Sequence, residues 1–238
     1  MHRSKILPTR VSKRQGLAAV AVGTAAVAAL AGLHFSHHPA AAVEVMAIDR
    51  TASLHRPGST WPAEVNSDAR QLAAQAMAGH FTKLELIGIG ANPAETATAA
   101  TVNLKLSCGS PQTCTDSQTA LAAQIGAAAE QVASVPVSQS GTDIIAAIKT
   151  ADAICNGARC SIALLTDGAD SLLLEPGTAA QLAARYEPLL PNLHGVSVNL
   201  IGLGADGSPS DVVARTAQFW QLVLTQAGAS SVHIARSL

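Results

Sequence analysis

Five oxygen-bearing side chains stand at three places where an apolar segment meets a turn. They are Asp49, Thr51, Ser53, Thr142 and Asp167. The set offers two carboxylates and three hydroxyls, without a thiolate or an imidazole. That is the ligand chemistry of a hard divalent cation, Mg²⁺ most naturally or Mn²⁺, with water filling the remaining positions. We therefore predict a metal site, and no catalytic residues.

The elements that must position these side chains alternate between strands and helices. Strands are expected at Val43–Ile48, Lys83–Ala91, Thr101–Ser107, Cys160–Thr166, Gly195–Leu203 and Ser231–Ala235. Helices are expected at Glu64–Gly79, Asp116–Val135, Thr142–Ile154, Thr178–Leu190 and Pro209–Ala227. This order predicts an α/β fold with an open, doubly wound, mostly parallel sheet of the Rossmann type. The alternation of apolar and polar residues in Thr101–Ser107 predicts an antiparallel edge strand with one wet face.

Open parallel sheets bind ligands at the carboxyl ends of their strands, which is where the oxygen motifs lie. Together the three motifs resemble the metal-ion-dependent adhesion site of von Willebrand factor type A domains. That site is written Asp-x-Ser-x-Ser, then Thr, then Asp. The matching residues here are Asp49, Thr51 and Ser53, then Thr142 within Ser-Gly-Thr-Asp, then Asp167 within Thr-Asp-Gly. The resemblance, which includes the order of elements, covers nearly all of the chain after residue 42.

The resemblance implies a non-catalytic binding module. Thr51 and Ser53 would coordinate the metal directly, Thr142 directly or through water, and the two aspartates mainly through water. The low negative charge of such a site leaves the cation electrophilic, so an acidic side chain of a protein partner can complete its coordination. Two departures from the family stand out: Thr51 replaces the usual Ser, and the family's final helix is missing after the last expected strand.

The first 42 residues are typical of a targeting segment. Five of the 15 Lys and Arg precede residue 15, and no Asp or Glu occurs before Glu44. Gly16–Leu33 is a nearly unbroken apolar run, and a helix of that length rises about 27 Å, just enough to cross a bilayer. Its basic flank places the amino terminus in the cytoplasm.

This interpretation divides the chain into four parts. They are a cytoplasmic basic segment (1–15), a transmembrane signal anchor (16–35), a spacer (36–42) and an extracytoplasmic domain (43–238). The alternative is a signal peptide cleaved near Ala40–Ala42, which would give a secreted protein. His34, His37 and His38 fall beside the membrane segment, and we interpret them as spacer residues.

Four cysteines on the far side of a membrane favour disulfides. Three connectivities are possible, and the local pairs Cys108–Cys114 and Cys155–Cys160 are favoured because both short loops contain turn residues. A structural zinc site is the alternative, but neither spacing is Cys-x-x-Cys.

Other functions fit the residues less well. Beyond residue 42, 10 Lys and Arg face 16 Asp and Glu, and this acidic balance argues against nucleic-acid binding. The glycines of Gly202–Gly207 match a dinucleotide motif that lacks its acidic partner. A Mg²⁺-dependent phosphatase-like hydrolase would need a general acid where Thr51 stands. The main alternative is a metal-independent assembly domain with a vestigial site.

Overall fold

A computed structural model gives the fold of the domain that follows residue 41. It describes residues 42–106, 108–135, 137, 141–170 and 176–238. The predicted membrane segment (16–35) and the spacer histidines lie outside the described residues. Within the described ranges, every helix is too short or too polar to cross a bilayer.

Among the described residues, six strands form one sheet. They are β1 (Ala42–Asp49), β2 (Lys83–Ile89), β3 (Ala97–Asn103), β4 (Arg159–Leu165), β5 (Ser197–Ile201) and β6 (Ser231–Ala235). Their order across the sheet is β3-β2-β1-β4-β5-β6. All neighbours are parallel except β3, which runs antiparallel to β2 at the edge. The predicted α/β class, with a mostly parallel sheet and one antiparallel edge strand, is confirmed.

In the part of the chain that the structure describes, five α-helices cover the two faces of this sheet. They are α1 (Trp61–Ala78), α2 (Pro111–Ala133), α3 (Ile144–Cys155), α4 (Ala179–Tyr186) and α5 (Ser210–Gln226). One hydrophobic cluster lies between the sheet and α1 and α2, and the other lies between the sheet and α3, α4 and α5. Because β1 is covered on both faces, its residues Val45 to Ile48 are all fully buried and form a continuous apolar run.

Polar caps set the first residues of several helices. Ser110 and Thr113 form a capping box at the start of α2, and Thr178 and Gln181 form one at the start of α4. The side chain of Asp143 accepts a hydrogen bond from Ala146 N and begins α3. These side chains satisfy N–H groups that the first helical turn leaves free.

The predicted edge strand Thr101–Ser107 is wrong in its bounds, since the observed strand is Ala97–Asn103. Asn103 pairs with Lys83, the first residue of β2, so no strand remains for later residues to pair with. The alternation beyond Asn103 has another cause, because Leu104 and Leu106 pack on the cluster beneath α1 and α2. Contact of these two leucines with the core therefore explains the alternation of apolar and polar residues, without strand pairing.

Other bounds also differ from expectation. Helix α2 begins at Pro111, five residues before the expected Asp116, because Ser110 supplies its cap. The expected helix Thr178–Leu190 ends at Tyr186 and continues as a 3-10 turn over Glu187–Leu189. The last strand, Ser231–Ala235, has the predicted bounds.

Both local disulfides are present, as the spacing predicted. Cys108 is bonded to Cys114, and Cys155 to Cys160. The second bond joins the end of α3 to the start of β4 and is buried. It fixes the turn through which the chain enters the central strand β4.

Candidate metal site

The sheet reverses its winding direction between β1 and β4. From β1 the chain proceeds to β2 on one side, whereas β4 lies on the other side. This is the switch point at which open parallel sheets form a crevice. Because Ile48 is paired with Leu165, the residues that follow, Asp49 and Thr166, come out side by side.

Asp49 lies at the bottom of this crevice and is fully buried. Its Oδ1 accepts hydrogen bonds from Thr51 N at 2.9 Å and from Thr51 Oγ1 at 2.7 Å. Its Oδ2 accepts one from Thr166 Oγ1 at 2.6 Å. Thr166 also accepts a bond from Gly168 N at 3.1 Å, so it joins the ends of β1 and β4. Thr166 was not among the predicted site residues, although its place beside Asp167 at a strand end was a usable signal.

The other predicted residues converge on Asp49. Thr142 Oγ1 donates to Thr51 Oγ1 at 3.0 Å, and Thr51 Oγ1 lies 3.2 Å from Ser53 Oγ. Ser53 Oγ donates to Asp167 Oδ2 at 3.0 Å. The fold therefore brings all five predicted oxygen ligands into one connected cluster. Ser53 is half-buried, while the other four are buried, so the cluster opens to solvent beside Ser53.

The hydroxyl protons are too few for this cluster when both carboxylates are ionised. Four contacts join the oxygens: Thr142 to Thr51, Thr51 to Asp49, Thr51 to Ser53, and Ser53 to Asp167. Three hydroxyls supply one proton each. If the hydroxyls of Thr51 and Ser53 both donate to the carboxylates, no proton remains for the contact between these two hydroxyls, and their oxygen lone pairs face each other. A proton on a carboxyl, or a cation among the oxygens, would remove this repulsion.

Burial makes the two carboxylates electrostatically costly. Removal from water, and then the nearby charge of Asp49, raise the pKa of Asp167 to about 6. Burial also raises the pKa of Asp49, against the opposing effect of hydrogen bonds from Thr166 and Thr51. Two carboxylates that resist ionisation are stabilised by any positive charge placed between them. Positive charge in this site would therefore be electrostatically favourable.

The spacing of the oxygens fits a small octahedral cation. Mg²⁺ binds oxygen at 2.0–2.1 Å, so adjacent ligands of an octahedron lie about 2.8–3.0 Å apart. The contacts of Thr51 with Thr142 and Ser53, at 3.0 and 3.2 Å, and the 3.0 Å contact of Ser53 with Asp167 are close to that spacing. The described residues contain no group of three or more His, Cys, Asp or Glu side chains suited to a metal. Any metal here must therefore use hydroxyl ligands.

Two tryptophans fix the backbone beside the two aspartates. Trp61 Nε1 donates to Asp49 O at 3.0 Å, and Trp220 Nε1 donates to Gly168 O at 2.9 Å. Trp220 is fully buried, and Trp61, the first residue of α1, is also buried. The indole of Trp61 packs inward beneath the site.

Space for the Trp61 ring depends on Gly202 at the end of β5. A Cβ at Gly202 would lie 2.7 Å from Trp61 Cζ3 and 3.0 Å from Thr166 O. Gly202, Gly204 and Gly207 all have positive φ angles, which glycine adopts without strain. Close packing and turn geometry thus account for the glycines that matched the dinucleotide motif.

His55 ties the Ser53 loop to the end of α2. Its Nδ1 lies 2.8 Å from Thr51 O and its Nε2 lies 2.5 Å from Ala133 O. Both partners are backbone carbonyl oxygens, so the ring links the loop after β1 to the end of α2. The positive charge of His55 lowers the pKa of Asp49 and partly offsets its burial. Sequence reasoning found no role for His55, because Ala133 is distant in the chain.

Three further aspartates near the site have structural roles. Asp143 caps α3, and Asp170 Oδ2 accepts a bond from Ile144 N at 2.9 Å in the same helix. Asp206 accepts bonds from the backbone N–H and hydroxyl of Ser208 in a turn. The bond from Ile144 to Asp170 holds the start of α3, and thereby Thr142, against the loop after β4.

Comparison with known proteins gives distant structural similarities only. No family model matches the sequence, and no curated protein matches it significantly. The manganese-loaded TRAP protein of Plasmodium vivax is 17% identical, with a TM-score of 0.43, and the match covers 77% of this chain and 62% of that one. A mutant of the PilB minor pilin from Streptococcus sanguinis is 12% identical, with a TM-score of 0.47 and coverage of 82% and 57%. Proximal thread matrix protein 1 from the mussel byssus is 13% identical, with a TM-score of 0.37 and coverage of 79% and 47%.

The chain spans less than two thirds of the length of each of these three structures. At TM-scores below 0.5, the similarities are too distant to carry an argument about function. The functional argument must come from the site itself.

Proposed function

We propose that this chain is a non-catalytic, adhesion-type binding domain that recognises a protein partner through a divalent cation, Mg²⁺ or Mn²⁺. The ligands are the five residues that resemble the von Willebrand factor type A site: Asp49, Thr51, Ser53, Thr142 and Asp167. The observation that carries the proposal is the buried cluster of these oxygens, which has one proton fewer than its contacts need.

Each ligand has a distinct part in the proposed site. Thr51 and Ser53 present neutral oxygens, while Asp49 and Asp167 supply charge from the strand ends. Thr142 is held in place by α3, whose first N–H groups are capped by Asp143 and Asp170. The bound cation would supply a positive centre for an acidic side chain of the partner. The opening beside the half-buried Ser53 is the access route for that side chain.

The surface next to Thr142 offers a place for the partner's neighbouring residues. A cleft of about 290 Å³ is lined there by Lys149, Leu189 and the start of α3. Leu189 is an exposed apolar residue, and Lys149 is an exposed cation. A partner segment with an acidic residue at the metal and an apolar residue beside it would be complementary to this surface.

The cellular setting is part of the proposal. Residues 16–35 would anchor the chain in the cell membrane, with the domain outside, where disulfides persist. Cleavage near Ala40–Ala42 would instead release it as a secreted domain. Membrane fractionation of the full chain, followed by mass determination of its amino terminus, distinguishes these outcomes.

Partner recognition can be tested with the full-length protein and paired synthetic peptides. Peptides carrying one Glu are compared with identical peptides carrying Gln, in Mn²⁺ and after removal of metal. The proposal predicts binding only for Glu peptides, only with metal, and with loss of binding in Asp167→Ala. Asp116→Ala is the control, because Asp116 is an exposed residue of α2 outside the cluster. Binding that survives both metal removal and Asp49→Ala would refute metal-mediated recognition and favour a metal-independent assembly domain.

A further inference from the structure

Arg50 directly follows Asp49, the first residue of the predicted metal site. Its guanidinium occupies an unusual position. It lies flat over the backbone of Gly88 in β2, where a Cβ would come within 2.5 Å of Arg50 Nε and 2.8 Å of Cζ. Only a glycine at position 88 leaves room for this pose. The side chain is thereby directed under α2 and away from the oxygen cluster.

The hydrogen bonds of Arg50 are incomplete. One terminal nitrogen, Nη2, donates to Glu95 O at 2.7 Å. Arg50 Nε is buried and has no hydrogen-bond partner. The Glu95 carboxylate accepts a hydrogen bond from Ala91 N through Oε2 at 3.2 Å. Among the described residues, no carboxylate forms an ion pair with Arg50. A buried, charged donor without an acceptor is costly, and an anion would relieve that cost.

A cleft of about 380 Å³ adjoins this guanidinium. One wall is the edge strand from Ala97 to Ala100, where the pairing with β2 is interrupted by a bulge. The opposite wall is the last part of α2, with Ala128, Val132 and Val135. Small and aliphatic side chains thus enclose a space with a cation at one end. Val135 is 54% exposed, so the apolar wall continues to the protein surface.

We propose that this cleft binds a small organic acid with a short aliphatic body. Its carboxylate pairs with the terminal N–H groups of the Arg50 guanidinium, and its hydrocarbon part lies against Ala100 and Val132. Arginine suits this role because its planar N–H groups match the two oxygens of a carboxylate. The volume is within the range of small-molecule sites, which combine apolar walls with a few polar groups. This site is separate from the proposed metal site and does not depend on it.

Butyrate is a suitable probe, with butanamide as its neutral counterpart of almost the same shape. The full-length protein is labelled with ¹⁵N in its ten arginines and freed of metal on chelating resin. This treatment avoids carboxylate chelators and prevents butyrate from binding through a metal. The Arg50 Nε–H signal is assigned by its absence in Arg50→Lys. We expect a saturable downfield shift of this signal with butyrate and none with butanamide.

Two variants and one control complete the test. Arg50→Gln should weaken butyrate binding about tenfold or more, since it removes a charge-assisted hydrogen bond. Gly88→Ala should weaken it as well, because the added methyl displaces the guanidinium. Arg70→Gln, an exposed arginine of α1 that lines a different groove, should have no effect. Retention of the remaining arginine signals establishes that each variant is folded.

Three results would overturn the proposal. They are the absence of a saturable shift, equal shifts with butyrate and butanamide, or unchanged butyrate affinity in both Arg50→Gln and Gly88→Ala. Because metal is absent throughout, none of these results bears on the proposed cation site.

Discussion

Ser53 Oγ donates a hydrogen bond to Asp167 Oδ2 at 3.0 Å, joining residues 114 positions apart in the chain. Ser53 follows β1 and Asp167 follows β4, and the two strands are adjacent and parallel. The contact exists only when the centre of the sheet is correctly assembled. Changes to the oxygen cluster should therefore affect both folding stability and cation affinity, and suitable variants can separate the two.

Thr166→Val should destabilise the fold. Valine preserves the shape of threonine but leaves Asp49 Oδ2 without the donor at 2.6 Å. The loss of a donor to a buried carboxylate costs about 1–3 kcal/mol. Urea unfolding of the metal-free full chain measures this loss. Thr150→Val is the control, because Thr150 Oγ1 bonds only a carbonyl within α3, and equal losses in the two variants would contradict the assigned role of Thr166.

The indole N–H groups of the two buried tryptophans should contribute separately to stability. Trp61→Phe removes the bond to Asp49 O, and Trp220→Phe removes the bond to Gly168 O. Each lost bond should lower the free energy of unfolding by about 1 kcal/mol, with a further loss from the smaller ring. Trp61→Phe should also weaken cation binding, because Trp61 holds the backbone that carries Asp49. Unchanged affinity in Trp61→Phe would show that this anchor is not needed.

Glu44→Gln should stabilise the protein at alkaline pH. Glu44 is buried in β1, its Oε1 has no hydrogen-bond partner, and burial raises its pKa from 4.5 to about 7. Below pH 4.5 the group is protonated in both states and costs nothing. As the pH rises from 4.5 to 7, the unfolded chain ionises while Glu44 in the folded chain stays protonated, so stability is lost over this range and the loss is complete above pH 7. That loss is about 3 kcal/mol at pH 8.

The glutamine variant lacks this titration. It should match the wild type near pH 4 and exceed it at pH 8 in chemical unfolding experiments. Parallel pH profiles for the two proteins would contradict the assignment to Glu44.

The two disulfides should differ in their contribution to stability. Their loops are of nearly equal length, so loop closure alone predicts about 2 kcal/mol for each. Cys155 and Cys160 are both buried, whereas Cys108 is exposed. Replacing Cys155 and Cys160 by alanine should therefore add a packing loss that the same change at Cys108 and Cys114 lacks. Thermal unfolding of the two double variants tests this, and equal midpoints would be evidence against a packing role.

The fold class and the convergence of the five oxygen-bearing side chains could be predicted because both leave local marks in the sequence. The apolar runs of β1 and β4 reflect burial on both faces, and the motifs at Asp49 and Asp167 follow those runs directly. The final strand, which ends at Ala235 and is preceded by Gly228, was also predicted with its observed bounds. Hydrophobic pattern and turn residues were sufficient for these elements.

Other features depend on contacts between residues that are far apart in the sequence, which a local sequence pattern does not indicate. Leu104 and Leu106 alternate like strand residues, yet they pack on the core beyond the end of β2. Trp61 lies in a turn-like sequence, yet its bond to Asp49 O and the space above Gly202 draw it inward. Thr166 and His55 act through partners far away in the chain. Tertiary packing decided each of these cases.

Direct titration of the metal-free full chain with Mn²⁺, followed by calorimetry, tests the central claim. We predict one cation per chain, an affinity at least about tenfold weaker in Ser53→Ala, and no measurable binding in Asp167→Ala. Asp116→Ala, at an exposed position of α2, should bind like the wild type. At a concentration 100 times the dissociation constant, the cation should stabilise the fold by about 2.7 kcal/mol. Absence of binding to the wild type, or equal binding in Asp167→Ala, would contradict the claim that these five oxygens form a metal site.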